Sequence, residues 1–122
     1  MQELYTHAMR GHLFESLIMS DSIKYYCNSG KPVALYFWRD VQGHEIVCIV
    51  EKSHNVLIPI EIKARMTRSM DIFKGLIDWN AITEQHDTPA YVIYAGTDHA
   101  RLKHGDVVPW NSVHSLFKKL YS

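Results

Sequence analysis

Two cysteines, Cys27 and Cys48, are all the chain offers for cross-linking or thiolate chemistry. They lack the paired spacing of a zinc site, and one pair does not make the disulfide framework of a small secreted domain. Both are expected as buried or half-buried thiols in a reducing compartment. An excess of one charge is missing as well: 13 Lys and Arg balance 13 Asp and Glu, and the pI is about 7.1. Phosphate neutralisation supplies most non-specific affinity for nucleic acid, so a strongly basic, dedicated binder is excluded, while a local patch is not. No apolar run reaches the roughly 18 to 20 residues of a membrane helix, and Met1 to Arg10 carry no apolar leader core. The expectation is a cytoplasmic chain without membrane contact. No Gly-x4-Gly-Lys-Ser/Thr loop occurs; Asn28-Ser29-Gly30-Lys31-Pro32 lacks both the first glycine and the hydroxyl residue, so ATP hydrolysis is not expected. Eight histidines include no His-x3-His or His-Glu-x2-His spacing, and no nucleophile elbow precedes a serine.

What is present suffices for one domain spanning residues 1–122. Hydrophobic residues make up 47% and charged residues 21%, enough for a single core. There is no internal repeat and no linker-like segment. Residues 3–29 read as a helix, possible to break at Gly11, with Leu13, Phe14, Leu17, Ile18 and Tyr25 on its inner face and Asp21 interrupting it. Asn28-Ser29-Gly30 is its stop signal, and Pro32 forbids continuation. Three strands are expected at 33–39, 45–51 and 56–63, with tight turns at Asp40-Val41-Gln42-Gly43 and Ser53-His54-Asn55. Strict alternation in the second puts Glu45, Val47, Ile49 and Glu51 on one face and Ile46, Cys48 and Val50 on the other. A helix at 69–83, a buried strand at 90–94, a polar loop at 96–105, a short strand at 107–109 and a helix through Lys119, capped by Asn111 or Ser112, complete the order. Such an order suggests an α/β fold, a mixed sheet with helices packed on it. Tyr36, Phe37, Trp38 and Trp79 read as core aromatics rather than a base-stacking platform.

The strongest chemical signal is Glu61-Ile62-Lys63. The two charges stand at i and i+2 of a strand and leave the same face. Charges in so apolar a run are costly unless paired or bound to a metal. Such a pair can hold a divalent cation and orient an attacking water. Glu15, within Gly11-His12-Leu13-Phe14-Glu15, is a second acid among apolar neighbours.

These residues and several others carry a family resemblance. Arg10-Gly11-His12-Leu13-Phe14-Glu15, Tyr36-Phe37-Trp38-Arg39-Asp40, Gly43-His44-Glu45-Ile46, Ile58-Pro59-Ile60-Glu61-Ile62-Lys63 and Val108-Pro109-Trp110 come in the order and spacing of an uncharacterised prokaryotic family of C-terminal domains. The chain resembles that family from about residue 9 to about residue 115. In the family the domain usually follows an AAA-type P-loop ATPase module, and it is similar in fold to PD-(D/E)XK nucleases. The resemblance therefore implies a restriction-endonuclease-like mixed central sheet flanked by helices, with Glu15 as the first-helix acid and Glu61 and Lys63 as the Glu-x-Lys pair. It also implies an aspartate two residues after Glu45, where this chain has Val47.

Magnesium takes oxygen ligands, and valine donates none. The expectation is a nuclease-like domain without efficient nuclease activity, serving nucleic-acid binding or protein interaction, with no cofactor. Two alternatives stand beside it. One is an active magnesium-dependent nuclease using Glu61, Lys63, Glu15 and a relocated acid, Glu45, which lies roughly 6.5 to 7 Å along the strand, or the more distant Asp40. The other is a homodimeric assembly module with no nucleic-acid role. Arg65 and Arg68 follow Lys63 and are the best placed to meet a phosphate; Lys103-His104 and Lys118-Lys119 extend a modest basic rim. His12 and His44 fall within the family-like motifs and suit hydrogen-bonding or packing roles near the site.

Overall fold

The computed structural model describes residues 2–66, 70–84 and 88–122. Six strands form one mixed sheet: β1 (Leu35–Arg39), β2 (Glu45–Ser53), β3 (Val56–Lys63), β4 (Tyr91–Tyr94), β5 (Ala100–Leu102) and β6 (Gly105–Pro109), in the order β1-β2-β3-β4-β6-β5. Three helices flank it: α1 (Gln2–Ser29), α2 (Lys74–Thr83) and α3 (Val113–Leu120). The β1-β2-β3 meander is antiparallel, β3-β4 and β4-β6 are parallel, and β5 closes the far edge antiparallel to β6. The mixed α/β class expected from the element order is what the chain forms.

Two cores lie on opposite faces of the sheet. α1 and α3 cover one, through Ile18, Tyr26, Phe117 and Leu120 against Ile58, Ile60, Ile62 and Ile93. α2 covers the other, through Leu76 and Trp79 against Ile46, Ile49, Val92 and Val107. β4 is buried along its whole length because both faces are covered, which explains its unbroken apolar run. No helix among the described residues is long and apolar enough to cross a membrane.

Local chemistry sets the punctuation. Gly30 takes φ +67° at the end of α1, with its N–H donating to Cys27 O at 3.3 Å and the Lys31 N–H to Tyr26 O at 3.0 Å, a Schellman closure. Gly43 at φ +92° and Asn55 at φ +65° close the two hairpins. Pro59 is tolerated in an inner strand because parallel pairing with β4 begins only at Ile60.

Several expectations require correction. α1 runs unbroken through Gly11, and its buried stripe is Ile18, Ser22, Tyr25 and Tyr26, while Leu13 and Leu17 are 65% and 46% exposed. Ser22 can join that stripe because it donates to Ile18 O at 2.8 Å, and a satisfied hydroxyl is admitted to the core. The alternation of β2 is broken: Tyr36 faces Ile49 but Trp38 faces Ile46, leaving one extra residue in β2. Ile46 therefore joins Ile49 on the α2 side, and Val47 joins Cys48 on the α1/α3 side. The loop at 96–105 contains strand β5, and a 3₁₀ turn at Met70–Phe73 precedes α2. Neither Asn111 nor Ser112 caps α3 through its side chain; a 3₁₀ turn at Trp110–Ser112 leads into it. Cys27 is exposed, not buried.

Candidate functional site

β3 is flanked by β2 and β4, so a charge on it has little access to water. Alternation sends Ile58, Ile60 and Ile62 into the α1/α3 core and turns Glu61 and Lys63 toward α2. Glu61 is 7% exposed. Its Oε2 lies 3.5 Å from Lys63 Nζ, whose side chain is about one-third exposed. Burial pushes the Glu61 carboxyl up; the Lys63 ammonium pulls against this, and the charges of Glu15 and Glu45 push it further up. Glu15 from α1 and Glu45 from the start of β2 thus share the electrostatic neighbourhood of Glu61.

Val47 is half-buried and packs against the α1/α3 core, so its methyl groups belong to the apolar interior and offer nothing to a cation. Among the described residues no three His, Cys, Asp or Glu side chains converge to hold a metal ion. With a single buried carboxylate already leaning on a lysine, the donor set does not fit a divalent ion, which calls for several oxygens in near-octahedral array.

Two contributors come from α2. Gly75 stands against the Glu61 carboxylate and makes room for it. One turn on, Asp78 Oδ2 lies 3.7 Å from His44 Nε2, and His44 Nδ1 lies 2.7 Å from Asp40 Oδ2. Asp40 Oδ1 also accepts from the backbone N–H groups of Gln42 and His44, at 3.0 and 2.9 Å. Desolvation raises the Asp40 carboxyl, but the His44 and Gln42 hydrogen bonds outweigh it and hold it below the usual carboxylate range. Beside this chain Trp38 packs edge-on to Trp79, with ring centroids 5.2 Å apart. The β1–β2 hairpin is therefore tied to α2 by one polar and one aromatic contact, next to the buried acid. Neither Gly75 nor Asp78 was singled out by motif. A glycine inside an amphipathic helix was the available signal, since it costs helix stability and needs a packing reason.

The remaining candidates disperse. Tyr36 and Phe37 lie on edge strand β1 and are exposed, Phe37 at 58%, so they are not core aromatics. His12 lies on the outer side of α1 beside Met9 and Leu13. Arg65 pairs with Asp71 ahead of α2, and Arg68 lies outside the described residues.

The topology and the buried Glu61 beside Lys63 define the class: a small mixed α/β domain with one acid–lysine couple held on an inner strand beneath a helix. Within that class, residues 10–113 match the family described as domain of unknown function DUF4143, and the chain belongs to it. No curated protein and no solved structure matches the chain.

Proposed function

We propose that this chain is a restriction-endonuclease-like domain of the PD-(D/E)XK type whose metal site is degenerate, and that it serves nucleic-acid binding or protein interaction rather than efficient cleavage. One observation carries the reading. Glu61 is buried beside Lys63 on an inner strand, while the half-buried Val47 packs against the apolar core. An ionisable side chain kept in a dry, costly position argues for an inherited chemical role. A valine packed against the core argues that the role has lapsed. Glu15 is the residual first-helix acid of that site. The balanced net charge supports contacts made together with a partner, such as an upstream ATPase module, over tight DNA binding by the domain alone.

The test is incubation of the purified chain with supercoiled and single-stranded DNA in magnesium or manganese. The expected result is no cleavage with either metal. Cleavage that disappears in Glu61→Ala overturns the reading.

That second outcome is the signature of an active metal-dependent nuclease with Glu45 as its relocated acid. The reach of the Glu45 charge to Glu61 is the observation in its favour. Loss of cleavage in Glu45→Gln identifies it.

A further inference from the structure

A cavity of about 450 Å³ opens between α3 and the β6–β5 edge of the sheet, and shares no residue with the Glu61 neighbourhood. Its volume falls within the range of small-molecule sites, roughly 300–1,000 Å³. Tyr91, Val108 and Leu116 provide an apolar floor belonging to the α1/α3 core. Such a floor suits a flat ring, which buries much area with few rotatable bonds.

The mouth is polar and carries more positive than negative charge. Arg101 approaches from β5 and Lys119 from α3, with Asp106 the one carboxylate in the lining. The Lys119 ammonium stands 6.0 Å from the Tyr91 ring centroid, above the floor, and meets no carboxylate among the described residues. The Arg101–Asp106 contact is long, at 3.9 Å, and the Arg101 side chain is 83% exposed, so its guanidinium can turn to a ligand at little cost. Ser112 Oγ and His99 Nε2, 3.4 Å apart, add hydrogen-bonding groups at the same rim. Burial, and then the charge of Asp106, push the Tyr91 hydroxyl up against the opposing pull of Arg101, so it stays a donor.

We infer that this cavity binds a small organic anion with a flat aromatic body: the ring lies on Tyr91, Val108 and Leu116, and the anionic group meets Lys119 and Arg101. A guanidinium and an ammonium converging from two elements recognise a carboxylate or phosphate through charge-assisted hydrogen bonds. A neutral ring of the same shape forgoes the Lys119 and Arg101 contacts, and a cation is repelled. The inference is independent of the nuclease-like reading.

Three probes test it in amide chemical-shift titrations of the full chain: indole-3-acetate, indole and tryptamine. Indole-3-acetate is expected to give saturable shifts at Tyr91, Val108, Ser115 and Leu116, to bind at least about fivefold tighter than indole, and to leave tryptamine weakest. Replacing both exposed cations, Arg101→Gln with Lys119→Gln, is expected to weaken indole-3-acetate about fivefold or more, to the level of indole. Ser115→Phe, which fills the cavity from its exposed wall, abolishes binding of all three. Retained amide dispersion confirms that each variant is folded. Absence of saturable shifts with indole-3-acetate, equal affinity for the three probes, or indifference to the charge replacements each overturns the inference.

Discussion

The Glu61 carboxylate rests against the bare Cα of Gly75: a methyl group there would fall 2.8 Å from Glu61 Cδ and 3.0 Å from both carboxylate oxygens. A buried acid on β3 and a glycine in the first turn of α2 are thus one device. The glycine brings the helix onto the strand, and the acid is walled off from water. Glycine to alanine in a helix ordinarily stabilises by up to about 1 kcal/mol. Here crowding opposes that gain and costs about 1–3 kcal/mol. Gly75→Ala is expected to lower the urea midpoint, and the same change is expected to raise it in a Glu61→Ala background. A stabilising Gly75→Ala in the parent would show that the carboxylate lies elsewhere; the double-mutant cycle reads the coupling directly.

Glu61 also gives a pH signature. Burial raises its folded-state carboxyl above the usual range. The folded chain therefore binds this proton more tightly than the unfolded chain. That contribution is fully present below the unfolded carboxylate value and is lost as pH rises through the raised one. Glu61→Gln, which cannot ionise, is expected to be more stable than the parent at neutral pH by about 1 kcal/mol, with the advantage shrinking toward about pH 4. Loss of the Lys63 partner trims the gain. Denaturation series across this window check it, and a difference independent of pH contradicts the buried, proton-retaining carboxyl.

The two thiols are expected to part company. Cys48 is buried in β2, and burial pushes its thiol up to about 12, while Cys27 is exposed on the last turn of α1. Since the thiolate is the nucleophile, Cys48 is inert in the native fold. An aromatic disulfide reagent at about pH 8 is expected to label one thiol natively and the second only after unfolding. Rapid labelling of both would mean that β2 opens readily.

A tyrosine relay ties three elements together. Tyr26 and Tyr121 hydroxyls lie 2.7 Å apart, and the Tyr121 hydroxyl donates to Glu51 O at 3.0 Å, linking α1, the end of α3 and β2. Tyr121→Phe removes both bonds and is expected to cost about 1–2 kcal/mol in chemical denaturation. Because the bonds are shared, Tyr26→Phe combined with Tyr121→Phe is expected to cost less than the sum of the single changes. Strict additivity would show that the relay is not shared.

Parts of the site could be read directly and parts could not. Glu61 and Lys63 are two residues apart on one strand, so their common face follows from strand geometry alone. Gly75 and Asp78 meet Glu61 and His44 only because α2 crosses β2 and β3 at that point, and nothing local to α2 announces it. The expectation for Val47 failed for a related reason. Period-two alternation presumes unbroken pairing, and the extra residue between Ile46 and Ile49 turns Val47 to the other face. Leu13 and Leu17 match Ile18 in hydrophobicity but not in neighbours, since the core meets the stripe that runs from Phe14 through Ile18 to Tyr26.

By itself the sequence determined the local grammar of the protein: a long opening helix stopped at Gly30, a three-stranded meander turned at Gly43 and Asn55, and a charged couple on its last strand. These follow from side-chain periodicity and from which residues tolerate positive φ, and both are settled within a few residues. Tertiary structure alone decided which face each marginal residue buries, where the bulge falls, and that a helical glycine houses the Glu61 carboxylate. Those outcomes depend on pairing and packing between segments far apart in the chain, where close-packed volume, not local preference, selects the arrangement.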